Sequence, residues 1–333
     1  MTILNSFGAE WNDQAEHESY TQLNMYTTVN SAYKYKDGTS YDYQLIYFPN
    51  RDEIYFQSYF WFNFGYEQYN TFTIVDLFTW LDDVGNIIGR LNIHKDNTLT
   101  LYIGDNETLK FTSNPLYDNR WYTIELRIKI HDTSGNLTFR LDGEELYSFD
   151  GNTLPTTSPS TSAINSIRSR VQKYYTTMYL DNIIVNDTYG TVNNSWPAGA
   201  KIRLIVPSAN GTSSQWTRSG GSNNYQCVDA ISTDFVYANN INLIDLYGMQ
   251  NLEAEANKIL WVAYNHWIQG SSLTVKNFTP VVRISGNNYF GTTKKIPYST
   301  DFIKEYKETS PATSAAWDVT ELNAIEFGMR SES

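Results

Sequence analysis

Residues 121–130, WYTIELRIKI, and residues 137–149, LTFRLDGEELYSF, are written in a period of two. In the first run Tyr122, Ile124, Leu126, Ile128 and Ile130 alternate with Thr123, Glu125, Arg127 and Lys129. Successive strand side chains point to opposite faces, so this run predicts one apolar face on a core and one charged face in water. In the second run Leu137, Phe139 and Leu141 alternate with Thr138 and Arg140, and Asp142-Gly143 supplies the turn. An Asp-Gly pair between alternating segments is a strong short-range signal for a hairpin. Together they predict an antiparallel sheet solvated on one side.

The rest of the first half continues the pattern. Strands are predicted at 42–48, 53–63, 72–81, 87–94, 98–103 and 177–185. Residues 52–64, DEIYFQSYFWFNF, are apolar at nearly every position past Ile54, which predicts a strand covered on both faces. The Pro/Ser/Thr-rich residues 150–163 read as loop. In 163–173 the spacing of Ile164, Ile167 and Val171 predicts a short helix capped by Ser160 or Thr161.

Residues 187–197, DTYGTVNNSWP, are polar and end in a Trp-Pro step that disfavours helix, so they mark a boundary. Domains are expected at 1–190 and 196–333. In the second, strands are predicted at 201–206, 259–268, 273–279 and 281–285, with a Gly/Ser/Asn loop at 210–224. The fold class is all-β: two β-sandwich, jelly-roll-like domains with one short helix at most.

Composition narrows function. The chain has 333 residues and a net charge of −12, which argues against a general nucleic-acid binder and against docking on anionic membrane. No apolar run is long enough to span a bilayer, and the N-terminus lacks the pattern of a signal peptide. Cys227 is the one cysteine, so no internal disulfide forms, which suits assembly in a reducing cytoplasm. It reads as a small buried apolar residue.

Motifs for chemistry are missing. His17, His94, His131 and His266 have no ligand spacing, and there is no CxxC, GxSxG, P-loop or GxGxxG. The paired carboxylates of a glycoside hydrolase have no counterpart. The acidic stretch 10–18 precedes the first clear strand and reads as solvated, and Glu144 and Glu145 point to opposite faces. Asp181-Asn182 and Asp82-Asp83 are the nearest calcium candidates, but such pairs are usually turn residues. The expectation is therefore no enzyme, no catalytic residue, no metal and no cofactor.

Tyr (26), Phe (16) and Trp (9) are abundant, and an aromatic beside amides suits either a sugar or a partner subunit. Trp216 in its glycine-rich loop, Tyr225, Tyr41 and Tyr43 are the candidate ligand-binding residues.

The N-terminal half resembles the concanavalin A-like, laminin G-like jelly roll, through WYTIELRI, TFRLDGEELYSF and YLDNIIVND. The C-terminal half resembles a domain common in tailed-phage virion proteins. The residues that carry this are AGAKIRLIVPSANGTSSQW, VDAISTDFVYANN, INLIDLYGM and SPATSAAWDVTELNAIEFGMR. In the last run Pro311, Thr313, Trp317 and Val319 keep the frame of the family's turn, and Ser314 and Asp318 stand where Gly and Thr are usual. The resemblance implies a structural component of a phage particle, in the capsid decoration, neck or tail, assembled in the host cytoplasm. Its partners would be other virion proteins and copies of itself in a homo-oligomer. The alternatives are an adhesin that recognises a host surface glycan and, less favoured, a glycan-degrading enzyme.

Overall fold

A computed structural model of the chain describes residues 3–7, 41–63, 74–104, 108–155, 163–172, 177–189, 192–229, 234–252, 256, 258–270, 274–298 and 301–333. Two units divide between Ile202 and Arg203.

The first unit holds β1 (Ile3–Phe7), β2 (Tyr41–Arg51), β3 (Glu53–Asn63), β4 (Ile74–Leu81), β5 (Ile87–His94) and β6 (Leu99–Ile103). It continues with β7 (Thr108–Thr112), β8 (Trp121–Lys129), β9 (Gly135–Leu141), β10 (Glu144–Gly151), β11 (Ile164–Gln172) and β12 (Thr177–Asp187). They form two six-stranded antiparallel sheets, ordered β1-β12-β3-β8-β9-β10 and β2-β11-β4-β5-β6-β7. One core lies between them: Phe56 of β3 meets Phe78 of β4 edge-on at 4.7 Å, and Phe111 of β7 meets Phe139 of β9 at 5.6 Å. The predicted alternation of 121–130 holds on its inner side, where Tyr122, Ile124, Leu126, Ile128 and Ile130 are all buried. Asp142 and Gly143 take φ of 52° and 82°, the left-handed pair that a tight hairpin of this twist demands.

Two expectations need correction. The segment 163–173 is not a helix: β11 is hydrogen-bonded between β2 and β4. The register of β11 on β2 shifts between Ile164 and Ser166, and Ile164 and Ile167 both reach the core at a spacing that imitates a helix. The outer face of β8 is not all in water, because Glu125 is buried under the segment 195–202. That strap crosses the outer side of β3 and β8 and supplies the second cover expected for β3. Gln57 grips it at both ends of its amide, Nε2 donating to Ala200 O (2.7 Å) and Oε1 accepting from Gly199 N (2.9 Å). Tyr59 Oη donates to Gly199 O (2.8 Å), Glu125 accepts from Ala198 N (2.8 Å), and Asn182 Oδ1 accepts from Ile202 N (2.6 Å). The strap, assigned by sequence largely to the second domain, thus belongs to the first unit.

The second unit holds β13 (Pro207–Ser214), β14 (Thr217–Arg218), β15 (Val236–Tyr237), β16 (Ile244–Met249), β17 (Val262–Ile268) and β18 (Asn277–Ile284). After these come β19 (Asn287–Phe290), β20 (Lys294–Lys295), β21 (Asp301–Lys307), the four-residue helix α1 (Val319–Leu322) and β22 (Glu326–Glu332). One sheet runs β13-β16-β22-β18-β19, with β20 also on β18; β14-β15 and β17-β21 are two-stranded ribbons. The β17-β21 ribbon packs on the sheet through Tyr264 and His266 of β17, which lie against Phe327, and His266 also meets Phe278. Trp317, Leu322 and Ile325 are buried, and each such side chain contributes about 1.5–3 kcal/mol. Gly328 permits the close approach of β22 to β16, because a Cβ there would fall 1.8 Å from Asp245 O.

Residues 201–206 alternate in sequence yet form no strand, since Ile202 N is taken by Asn182 and Ile205 turns to the second core. The strand lies one step later: β13 pairs with β16 through a bulged register within what sequence reads as loop. Fold class agrees with expectation. Among the described residues, helix is limited to α1 and a single 3-10 turn at Asn224–Cys227.

Candidate functional site

The outer face of the β2-β11-β4-β5-β6-β7 sheet is polar and largely buried. Leu91 and Ile93 of β5 face the core, so Arg90, Asn92 and His94 face outward. On β6, Leu99, Leu101 and Ile103 point inward and Thr100 and Tyr102 outward. On β4 the bulge between Asp76 and Phe78 keeps both Asp76 and Thr79 on the outer side. Cross-strand register then lines up two rows. One runs Arg168, Thr79, Arg90, Tyr102, and the other Asp76, Asn92, Thr100.

Some of these groups satisfy each other. Arg90 Nη1 lies 3.2 Å from Asp76 Oδ1, and His94 Nε2 lies 2.7 Å from Thr100 Oγ1. Two do not. Thr79 is 1% exposed and Asn92 2%, and neither Thr79 Oγ1 nor Asn92 Oδ1 has a hydrogen-bond partner. An unsatisfied buried polar atom costs about 1–3 kcal/mol, and valine would fill the Thr79 position without that cost. These two atoms stand in rows beside the guanidinium groups of Arg90 and Arg168.

The residues singled out by sequence divide between the two units. Tyr41 and Tyr43 lie on β2 of this same sheet, Tyr43 across from Arg170 in backbone register; their side chains are outside the described residues. Trp216 and Tyr225 are in the second unit. Trp216 is not a platform: it is only 9% exposed, its Nε1 donates to Leu243 O (3.1 Å) and its backbone N to Asp245 Oδ1 (3.2 Å). Asp245 is the cause of this burial. Its carboxylate, pushed up in pKa by desolvation, also accepts from Tyr247 Oη (2.6 Å) and Asn224 Nδ2 (3.0 Å), which pins the loop to the sheet. Tyr225 is half-buried in the 3-10 turn, and Cys227 is buried with its thiol directed at Gly220 O (3.1 Å).

The calcium candidates are engaged elsewhere. Asp82 accepts from Val84 N, Asn86 N and Asn86 Nδ2 to close its own turn, and Asn182 holds the strap. Among the described residues no three His, Cys, Asp or Glu converge on a metal position. His17 and the acidic stretch 10–18 lie outside the described residues. His131 accepts from Thr133 N and Ser134 N in a turn.

The polar face itself is absent from the sequence expectations. Outward residues of an amphipathic strand read as solvated, and only Asn92, a poor strand former in mid-strand, marks 87–94 as unusual.

No protein-family model matches the chain, and no curated protein matches it. Among solved structures it is similar to a sialidase at 15% identity and a TM-score of 0.35, over 46% of this chain and 15% of that one. It is similar to the alginate lyase Aly36B at 14% identity and a TM-score of 0.40, over 56% of this chain and 98% of that one. A third is the carbohydrate-binding module CBM66 from Bacillus subtilis, at 12% identity and a TM-score of 0.32, over 47% of this chain and 92% of that one. The chain thus spans a small part of the sialidase and nearly all of the lyase's and the module's lengths. These neighbours are carbohydrate-binding or glycan-active proteins, and at such scores the likeness carries no argument about what this chain binds.

Proposed function

We propose that this chain is a carbohydrate-binding protein whose first unit holds a glycan on the outer face of the β2-β11-β4-β5-β6-β7 sheet. The observation that supports this is the pair of buried, unpartnered atoms Thr79 Oγ1 and Asn92 Oδ1, set in rows with Arg90, Arg168, Thr100 and Tyr102. Sugar hydroxyls both donate and accept, so they answer an orphaned hydroxyl and an orphaned amide oxygen together. Binding is non-catalytic in this reading. Affinity electrophoresis of the full chain against a panel of bacterial polysaccharides tests it. Retardation by at least one polymer is expected, weakened by Asn92→Leu and unchanged by Tyr298→Ala, whose ring is 89% exposed in the second unit. Retardation that Asn92→Leu leaves intact would remove this face from the reading.

The particle component implied by the virion resemblance is a second reading, and the second unit supports it. Trp267 is 50% exposed, and Phe235, Phe290 and Tyr298 are exposed as well. Aromatic side chains of this kind are typical anchors of protein interfaces, including those of a homo-oligomer. The two readings are compatible: one unit would assemble and the other touch the host glycan. Detection of the protein at a fixed copy number in purified particles is the expected result, and its absence from them would sink the assembly role.

A further inference from the structure

We infer that the first unit carries a further sugar site on the outer face of its β1-β12-β3-β8-β9-β10 sheet, where Trp61 and Trp121 offer a stacking surface to a neutral, gluco-configured saccharide. The site shares a ligand class with the glycan reading above and uses none of its residues, so either can fail alone.

Phe60, Phe62 and Tyr122 point into the core, so Trp61 and Trp121 point outward. The two are directly opposed in the register of β3 on β8. Opposed residues of an antiparallel pair have Cβ atoms about 4.5–5.5 Å apart. The pair stands just beyond the strap. Glu125 and Gln57 lie under it, Tyr59 reaches Gly199 O at its margin, and one step further along β8 from Thr123, Trp121 is 47% exposed.

Amides border the indoles on the side away from the strap. Asn63, the next outward residue of β3, donates from Nδ2 to Asn119 Oδ1 (2.7 Å), and Asn119 N is tied to Phe62 O (2.9 Å). This pairing leaves Asn63 Oδ1 to accept and Asn119 Nδ2 to donate, the complement of two adjacent ring hydroxyls. Toward β9, Asp142 accepts from Thr123 N (2.8 Å) and from Arg120 Nη2 (2.8 Å), so its charge is met by a guanidinium. The border is neutral in sum, which favours a neutral ligand.

Size selects a small occupant. From Tyr59 to Asn63 is about 14 Å along β3, and two strands are about 10 Å wide, so the open area is on the order of 140 Å². A stable protein interface takes roughly 800 Å² from each partner. The area suits about two sugar rings. A pyranose whose hydroxyls are all equatorial shows only C–H on its two faces, which an indole covers, and its hydroxyls at the edge, where the amides stand. An axial hydroxyl would press into the indole.

The full chain is titrated calorimetrically with cellohexaose and with β-1,4-linked mannohexaose, whose rings each carry one axial hydroxyl. Cellohexaose is expected to bind, and mannohexaose to bind more weakly. Trp121→Ala is expected to weaken cellohexaose binding by about tenfold, the worth of one ring contact, and Trp121→Phe by less. Both variants should keep the urea midpoint of the parent closely, because the ring is half in water. Saturation transfer from protein to cellohexaose should be strongest at the axial C–H protons, a signature that a merely structural tryptophan would not produce. Asn92→Leu, on the opposite sheet, is expected to leave this binding unchanged. Cellohexaose that does not bind, or that binds Trp121→Ala as tightly as the parent, would overturn the inference and leave the opposite sheet to its own test. Equal binding of mannohexaose would overturn the gluco configuration. A dimer in sedimentation that Trp121→Ala dissolves, with no sugar bound by the parent, would assign the face to contact between copies instead.

Discussion

The guanidinium of Arg140 lies over the ring of Trp196, 4.0 Å from its centroid. Arg140 is on β9 and Trp196 opens the strap, so a cation–π contact fastens the strap to the sheet before its backbone is gripped. Tyr55 meets the same indole edge-on at 5.4 Å. Where the strap crosses, the outer side of this sheet is thereby occupied by the chain itself.

Gln57 is the centre of that grip. It is wholly buried, and both ends of its amide are committed to strap backbone at Gly199 and Ala200. Gln57→Leu keeps the volume and removes both bonds, so two backbone groups must find water instead. The expected cost is about 1–3 kcal/mol in the urea unfolding of the first unit. Amide exchange at Gly199 should rise more than that of the strand β3 itself. A variant as stable as the parent with the Gly199 amide still protected would mean that Trp196 alone holds the strap.

Glu125 gives the same contact a pH dependence. It is 2% exposed, and desolvation raises its pKa above the ordinary carboxylate value despite the hydrogen bond from Ala198 N. The folded state then holds this proton more tightly than the unfolded state. Stability from this group is greatest at acid pH and is lost as pH rises through the raised value. Glu125→Gln keeps an acceptor for Ala198 and has no charge to bury. At pH 7 the variant is expected to unfold at higher urea than the parent, and the gap should close toward pH 4. A gap that widens on acidification would mean that the carboxylate is stabilised by Arg140 more than it is penalised by burial.

His266 carries the opposite sign. Its ring is buried between Phe278 and Phe327, Nε2 has no partner, and burial lowers its pKa to about 3 from 6.5. The folded state holds the ring neutral, whereas the unfolded chain takes up a proton below about 6.5. Stability of the second unit from this group is constant above that pH and falls by about 1.4 kcal/mol per unit as pH drops toward 3. His266→Phe fits among aromatic neighbours and has nothing to protonate. Urea midpoints of the second unit at pH 7 and pH 5 should differ clearly for the parent and much less for the variant. Equal acid sensitivity in both would assign the effect to other groups.

The sandwich was legible where alternation is strict. In 121–130 and 137–141 each apolar side chain went where its parity sent it, and the Asp-Gly turn fell where its φ values required. Legibility failed where a register shift breaks parity, as at Ile164 and Ile167, and where a segment's hydrogen bonds go to distant side chains, as at Ile202. The candidate face was hidden for a different reason. Thr79, Arg90 and Asn92 are ordinary residues for the wet side of a strand, and only burial shows that they are not wet. Trp216 misled in the reverse sense: glycines and serines around it promise exposure, but Asp245, 29 residues on, draws its backbone inward.

Ser314 holds the C-terminal turn in a left-handed backbone conformation. Its φ is 58°, and the turn is closed by Ser314 N to Ser310 O (2.8 Å) and Ser310 N to Ala315 O (2.8 Å). The turn delivers Trp317 into the second core, where its Nε1 donates to Lys307 O (2.9 Å). Asp318 caps α1 by accepting from Thr320 N (2.8 Å) and Glu321 N (3.1 Å). A left-handed residue with a Cβ costs about 1–2 kcal/mol. Glycine removes that cost but adds about 0.4–1 kcal/mol of unfolded-chain entropy, so Ser314→Gly should stabilise the second unit by up to about 1 kcal/mol. Ser314→Val, β-branched at the same φ, should destabilise it by more than 1 kcal/mol, on the order of the strain such positions store. Both are read as shifts of the urea midpoint of the second unit at unchanged slope. If glycine lowered the midpoint, the Ser314 side chain would be contributing more to the turn than its backbone strain removes.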